Sequence, residues 1–305
     1  MTRSTAAGRA GDKVFSGTAM GAGILILVVL FGVAAFLVVQ AFPALVAKPE
    51  DIQGGAGFWS YIWPIVIGTL IAAAIALVIA TPVAIGVALF ISHYAPRRLA
   101  SALGYVIDLL AAIPSVVYGA WGAAFLAPSI APGYAWLAEN LGWIPIFAGP
   151  ASATGKTILT AGIVLAVMVL PIITSLSREI FLQTPKLHEE AALALGATRW
   201  EMVRMAVLPF GRPGIISAIM LGLGRALGET MAVALVLSSG ALTASLIQSG
   251  NQTIAAEIAL NFPEASGVQV NTLIAAGLVL FVITLAVNMV ARWIITKHKE
   301  FSGAN

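Results

Sequence analysis

Cysteine is absent from the 305 residues, and charge is scarce: 16 Lys and Arg plus 13 Asp and Glu amount to 10% of the chain. Without cysteine there is no disulfide, and the redox compartment leaves no trace. A soluble globular domain carries about 25% charged residues. That shortage, with 60% hydrophobic residues and a mean hydropathy of +0.99, points to an integral membrane protein. Alternating strands of about ten residues, the mark of a membrane barrel, are missing as well. His93, His188 and His298 show no metal-ligand spacing, and no Ser/His/Asp set can be assembled on one side of a membrane. Nothing supports catalysis, a metal or a cofactor bound by the chain itself. Gly155-Lys156-Thr157 imitates the end of a phosphate-binding loop, but Pro150 stands where that loop needs its first glycine. The net charge of +3 comes from basic residues scattered along loops, with no stripe or aromatic platform suited to nucleic acid.

What is present is apolar length. Uncharged or nearly uncharged segments fall near Ser16–Phe42, Trp63–Ser92, Leu103–Leu126, Thr157–Ser177, Gly214–Ser239 and Asn271–Ile295. Each is long enough for a membrane helix of roughly 20 residues, so the expected fold class is all-α integral membrane with about six transmembrane helices. The run from Val14 to Ala47 is too long for a cleaved signal core and reads as a first membrane helix. With the N-terminus inside, Arg3, Arg9, Lys13, Arg97, Arg98, Arg178, Lys186, Arg199, Arg204, Arg212, Arg292, Lys297 and Lys299 fall on the inner side. Only Lys48 and Lys156 fall outside, which is the positive-inside asymmetry. Both termini are therefore expected in the cytoplasm. The domains expected are a tail at 1–15, a membrane domain at 16–297 with its core at about 63–297, and a second tail at 298–305. Two long outer connections, Pro128–Lys156 and Ala241–Val270, have room for short helices and for an external partner.

Arg225 and Glu229 lie deep in the fifth apolar segment. If one helix runs from Pro213 to Gly240, their i,i+4 spacing puts them on one face, close enough to pair. An ion near mid-bilayer costs between roughly 2.5 and more than 10 kcal/mol, so Arg225 must face protein or a water-filled path. Two readings stay open: an ion pair that ties helices together, or a cation offered to a passing anion. Gly222, Gly224 and Gly228 offer close backbone approach, to a facing helix or to the path, with helix packing the favoured role. In the third segment, Pro114 frees backbone carbonyls; the kink serves packing, or else it lines a path with Ser115 and Tyr118 as hydrogen-bond groups. Asp108 is expected in the first turns of its helix, where the dipole favours an acid.

The longest inner connection, 178–213, reads as an elbow. Thr184-Pro185 is expected to cap a helix bearing Leu187, Ala191, Ala194 and Leu195 on one side, Gly196 to stop it, and Thr198-Arg199-Trp200-Glu201 to start another by a capping box. Pro209 is expected to end that second helix.

Glu190-Ala191-Ala192, Gly196 and Leu208-Pro209 resemble the EAA loop of ABC-importer membrane subunits, with Ala206 where that family often has Ile. Ala112-Ile-Pro-Ser-Val-Val-Tyr-Gly119 and Gly222-Leu-Gly-Arg-Ala-Leu-Gly-Glu-Thr-Met-Ala-Val233 are similar to the phosphate-specific (Pst) permeases, of the PstC type. The resemblance implies a type I ABC-importer permease fold in the bacterial inner membrane. It also implies that Glu190, Ala191, Ala192 and Gly196 couple to an ATPase. The implied partners are a PstA-type permease, an ATP-binding subunit dimer carrying ATP and Mg, an extracytoplasmic phosphate-binding protein, and membrane lipid. The rival readings are a permease for molybdate or sulfate and an ion-coupled secondary transporter. The latter is expected to show an internal inverted repeat, and none is found in the sequence.

Overall fold

The computed structural model describes residues 6–238 and 240–299. Every regular element among them is helical. Five helices are long and apolar enough to cross a membrane: Gly11–Val46, Phe58–Tyr94, Ile158–Leu182, Arg199–Leu227 and Val268–Trp293. A bent pair, Arg97–Ala111 with Ser115–Leu141, makes a sixth span if counted as one. The sequence expectation of about six therefore holds.

The centre is built on α2 (Phe58–Leu89) and α6 (Ile158–Leu182), the most extensive helix pair. Ala72, Ala76, Ala80, Ala84 and Ala88 recur every four residues along α2 and are fully or almost fully buried. Such a ridge of small side chains lets two backbones close up, the usual source of helix attraction where lipid removes the hydrophobic drive. From α6, Val164, Leu165, Met168, Val169 and Ile173 complete the same core. The first helix, α1 (Ala6–Val46), stands apart. Its side chains at Leu27, Val28 and Phe31 are exposed, and only near Ala41 and Ala44 does it dock, against α12 (Val268–Lys299). There the Asn271 amide donates to the Gln40 carbonyl at 2.7 Å.

Two breaks interrupt the expected spans. In the third segment, α3 (Arg97–Ala111) ends and α4 (Ser115–Trp121) begins across Ala112-Ile113-Pro114, with a bend of 89° between the two halves of the pair. Pro114 takes the position just before α4, so its missing N–H costs no helical bond. The sequence anticipated a kink; the structure turns a right angle. Asp108 consequently lies in the last turn of α3, not in its first turns. The dipole account of that acid is therefore withdrawn.

The fifth segment departs further. It starts early, as α8 (Arg199–Met202), and runs without a break through Pro209 and Pro213 to the end of α9 (Leu208–Leu227). Pro209 was expected to stop a helix and does not. A π turn at Val203–Val207 stands immediately before it, and the Leu208 N–H reaches back to the Val203 carbonyl. This one wide turn takes up the bond that proline cannot make. Beyond Leu227 the chain leaves the helix and resumes as α10 (Met231–Val236).

The two long connections form one cap. Pro128–Lys156 contains most of α5 (Ala127–Leu141), and the second connection contains α11 (Ile254–Asn261). Between these helices the strands of coil are stitched by Leu246 N–H to Ile146 O at 2.8 Å, Ser152 N–H to Ile247 O at 2.9 Å and Ser249 Oγ to Ser152 Oγ at 2.8 Å.

Candidate functional site

The α3/α4 and α9/α10 breaks face each other. Gly119 on α4 lies against Ala232 on α10: an added Cβ would sit 2.6 Å from the Ala232 Cα. Glycine at that point is what allows the backbones to meet. The Tyr118 hydroxyl donates to the Leu110 carbonyl at 2.8 Å, a carbonyl released by the break before Pro114. Tyr118 shares one buried cluster with Ala226 and Leu227, the residues that follow Arg225 in the last turn of α9. The segments around Tyr118 and Arg225, remote in sequence, thus form one locality. Ser115 begins α4 in the same turn and is half-buried.

Arg225 and Glu229 do not pair. The helix that was to carry both ends at Leu227, and the ion pairs among the described residues do not include them. Glu229 is 9% exposed, and its Oε1 accepts from the Ala232 N–H at 3.1 Å. It caps α10 from a largely buried position. The i,i+4 argument failed because it presumed unbroken helix through Gly228.

Arg225 is instead exposed on a cavity of about 930 Å³ lined by α9 and α12, with Ile172 of α6 in its wall. The three glycines of this stretch divide. Gly222 packs, since a Cβ there would press on Ile173 Cδ1 at 2.9 Å, while Gly224 faces open space within the same cavity. Helix packing accounts for the first and not for the second.

At the opposite end of α9 stands the elbow. α7 (Lys186–Ala194) is followed by Gly196 at φ +87°, a conformation that only glycine adopts without strain. The capping box is present: Glu201 N–H donates to Thr198 Oγ1 at 3.3 Å, and Thr198 N–H donates to Glu201 Oε2 at 2.8 Å. Thr184 does not cap α7, whose first turn follows Pro185; its hydroxyl is buried without a partner. Ala192 packs inward with Phe181 and Val203, whereas Glu190, Ala191 and Gly196 are exposed and Leu187 and Leu195 are 73% and 87% exposed. The elbow packs on its own chain through Ala192 and Met202 and presents the apolar side chains of Leu187 and Leu195 outward.

Two features escaped the sequence reading. His93, in the π turn Phe90–Tyr94 that follows α2 and ends its span, bridges Ser92 Oγ at 2.7 Å and Glu189 Oε1 at 3.4 Å, linking a membrane helix to α7. Adjacent Ser-His is too common a pair to signal this, and Glu189 is 96 residues away. The second is Glu257 on α11, 8% exposed, which accepts from the Tyr61 hydroxyl at 3.0 Å. Burial pushes its carboxyl above the usual range, and the Tyr61 bond offsets only part of this. An acid in a loop of ordinary composition gives no sign of burial in the sequence.

Comparisons with known proteins agree with this architecture. The family described as "Binding-protein-dependent transport system inner membrane component" matches residues 80–299. The chain is 46% identical over 297 residues to the phosphate transport system permease protein PstC 2 of Mycobacterium bovis, covering 93% of this chain and 91% of that protein. It is 38% identical over 309 residues to a PstC permease of Mesorhizobium japonicum, covering 96% and 92%. Among solved structures, the inward-facing MetNI methionine ABC transporter superposes with a TM-score of 0.52 at 17% identity, over 79% of this chain and 95% of that one. A bacterial alginate-importing ABC transporter gives 0.51 at 20% identity, over 94% and 99%. At such identities the structural matches carry the fold alone, and the fold is that of ABC-importer permeases. The family match, the relatives and the fold agree: the chain belongs to the binding-protein-dependent transport system inner membrane component family.

Proposed function

We propose that this chain is the PstC-type permease subunit of an ATP-driven phosphate importer. A PstA-type permease completes the path, two ATP-binding subunits dock at the elbow, and a phosphate-binding protein delivers from the side of the stitched loops. In this reading both termini lie in the cytoplasm, as the distribution of Lys and Arg favours. The chain hydrolyses nothing; ATP and Mg belong to its partners.

The observation that carries the reading is Arg225, an unpaired guanidinium exposed on a large cavity within a membrane-spanning helix. A guanidinium about 4 Å from an oxyanion lowers its energy by roughly 4 kcal/mol at an effective dielectric near 20. Its planar fork suits the oxygens of phosphate. Tyr118 and Ser115, in the neighbouring break, offer hydroxyls to the same path. Glu229 supports the site at one remove, by fixing α10 against α4. The permease requires only passing attraction, because an anion held tightly does not leave.

Coupling follows from continuity. The second arm of the elbow and the Arg225 helix are one uninterrupted element from Arg199 to Leu227. Movement of Glu190, Ala191, Ala192 and Gly196 by the ATPase therefore reaches Arg225 along a rigid rod. The His93–Glu189 contact offers α2 a share of that movement.

The test is phosphate uptake by the complete importer carrying Arg225→Gln, with assembly checked by co-purification of all subunits. Uptake should be abolished; wild-type uptake by the assembled variant would sink the path reading. Sulfate and molybdate serve as competitors of the wild-type importer, and strong competition by either would move the substrate assignment to that oxyanion.

A further inference from the structure

Arg292 contributes to the sequence reading only as one of many inner-side charges. Its position in the fold is more particular. It lies within the span Val268–Trp293 and lines the same 930 Å³ cavity as Arg225, with Asn288 one helical turn before it and Ser217 on the facing helix. No Asp or Glu lines this cavity, and neither arginine takes part in an ion pair among the described residues. Two unpaired cations sharing one hollow repel each other, and the repulsion is relieved when an anion sits between them. An arginine serving only as an interfacial anchor directs its charge to the membrane surface; it has no reason to share a lining with Arg225.

We propose that Arg292 and Asn288, with Ser217 on the facing helix, form a second station for a phosphoryl group, taken after Arg225. This rests on the reading of Arg225 as an anion contact. The donors suit the ligand: a guanidinium and a carboxamide meet a tetrahedral oxyanion that offers acceptors on every side, while the Ser217 hydroxyl donates to the Pro213 carbonyl at 3.0 Å and can offer its oxygen's position only by turning away from it. Gly224 leaves the space that the anion needs, since a Cβ there meets nothing within 4 Å. Consecutive spans run in opposite directions, so α9 and α12 are antiparallel. Along α9, Ser217 and Arg225 are about 12 Å apart, and along α12, Leu285 and Arg292 about 10 Å, at 1.5 Å per residue. Arg225 and Arg292 therefore stand towards opposite ends of the cavity, and a phosphoryl group released by one is within reach of the other.

The same chemistry fits free phosphate and a lipid headgroup. The test uses the complete importer in vesicles, with Leu221→Cys as a reporter. Leu221 is 57% exposed on the cavity wall, and the chain has no other cysteine. N-ethylmaleimide is neutral, but the arginines favour the reactive thiolate, so protection in each variant is read against that variant's own rate without phosphate, and the complex without the reporter supplies the blank. In phosphatidylcholine vesicles, inorganic phosphate should slow labelling several-fold, and Arg292→Gln should remove that protection. Arg292→Gln should also lower phosphate uptake by about tenfold, the scale of one lost charge-assisted hydrogen bond. Arg292→Lys should restore part of both. Protection by anionic phospholipid alone, without phosphate, would support the phosphoryl site and assign it to a headgroup. A reporter unreactive in the assembled importer would overturn the proposal, as would protection that survives Arg292→Gln. Loss of uptake in Arg225→Gln with unchanged uptake and protection in Arg292→Gln would remove the second station only. Full uptake in Arg225→Gln would remove the reading beneath it.

Discussion

The elbow and the α9/α10 junction are both helix–glycine–helix turns, and they are built by different means. At the elbow, Gly196 takes φ +87° and Thr198 and Glu201 exchange two hydrogen bonds, all between residues 196 and 201. At the junction, Gly228 stays at φ −95°, and the next helix is capped by a carboxylate that is 9% exposed. An exposed helix end can lean on water and needs only modest local help. A helix end buried among other helices must bring its own acceptor, and α10 relies on Glu229 for it. The same charge that suggested an ion pair across a helix face is in fact the means by which the helix is interrupted.

Glu229 should therefore give the largest stability effect. Glu229→Ala leaves the Ala232 N–H buried without an acceptor, which costs about 2 kcal/mol. Glu229→Gln keeps an oxygen in place and should lose less than half of that. The apparent unfolding midpoint of the detergent-solubilised importer, followed by tryptophan fluorescence, separates the two. If Gln proves as damaging as Ala, the charge itself matters, and an unseen partner for it in the assembly would replace capping as the explanation.

Gly196 comes next. A Cβ at this position meets no atom within 4 Å, so Gly196→Ala costs only the strain of a positive φ, about 1–2 kcal/mol. Because the elbow is exposed, the expected consequence is local: weaker association of the ATP-binding subunits, read by co-purification, with little change in the unfolding midpoint of the membrane helices. An equal fall in midpoint for Gly196→Ala and Glu229→Ala would erase the distinction between the two turns.

That contrast also marks what was legible in the sequence. Elements specified by neighbours along the chain were readable: the elbow stop at Gly196, the capping box, the apolar spans and the disruption at Pro114. The break after Leu227 was not, because Gly228 lies among Gly222 and Gly224, which the helix carries without breaking, and no capping box follows it. What specifies it lies 113 residues earlier, where Gly119 admits Ala232. Pro209 misled in the other direction, since a π turn absorbed it. For the proposed site, residue types marked Arg225, Tyr118 and Ser115 as candidates. They could not show that Arg292 shares a cavity with Arg225, because a charge near the end of a span reads the same whichever way it faces. Hydropathy assigns residues to depth, not to sides.

The smallest effect belongs to Thr198, and it tests the local half of the comparison most directly. Thr198→Ala removes the acceptor for the Glu201 N–H and leaves the Glu201 carboxylate only the backbone N–H to accept. An exposed N-cap lost in this way costs about 1 kcal/mol. Thr198→Ser retains the hydroxyl and should behave as wild type in ATPase association. Thr198 and Gly196 serve one turn, so their effects should not add: residues sharing a structural unit commonly couple by 0.5 kcal/mol or more. Thr198 and Glu229 stand at opposite ends of the span Arg199–Leu227 and should add. Strong coupling between Thr198→Ala and Glu229→Ala would show that the helix transmits strain from the elbow to the junction even without ATP, making the two turns one device.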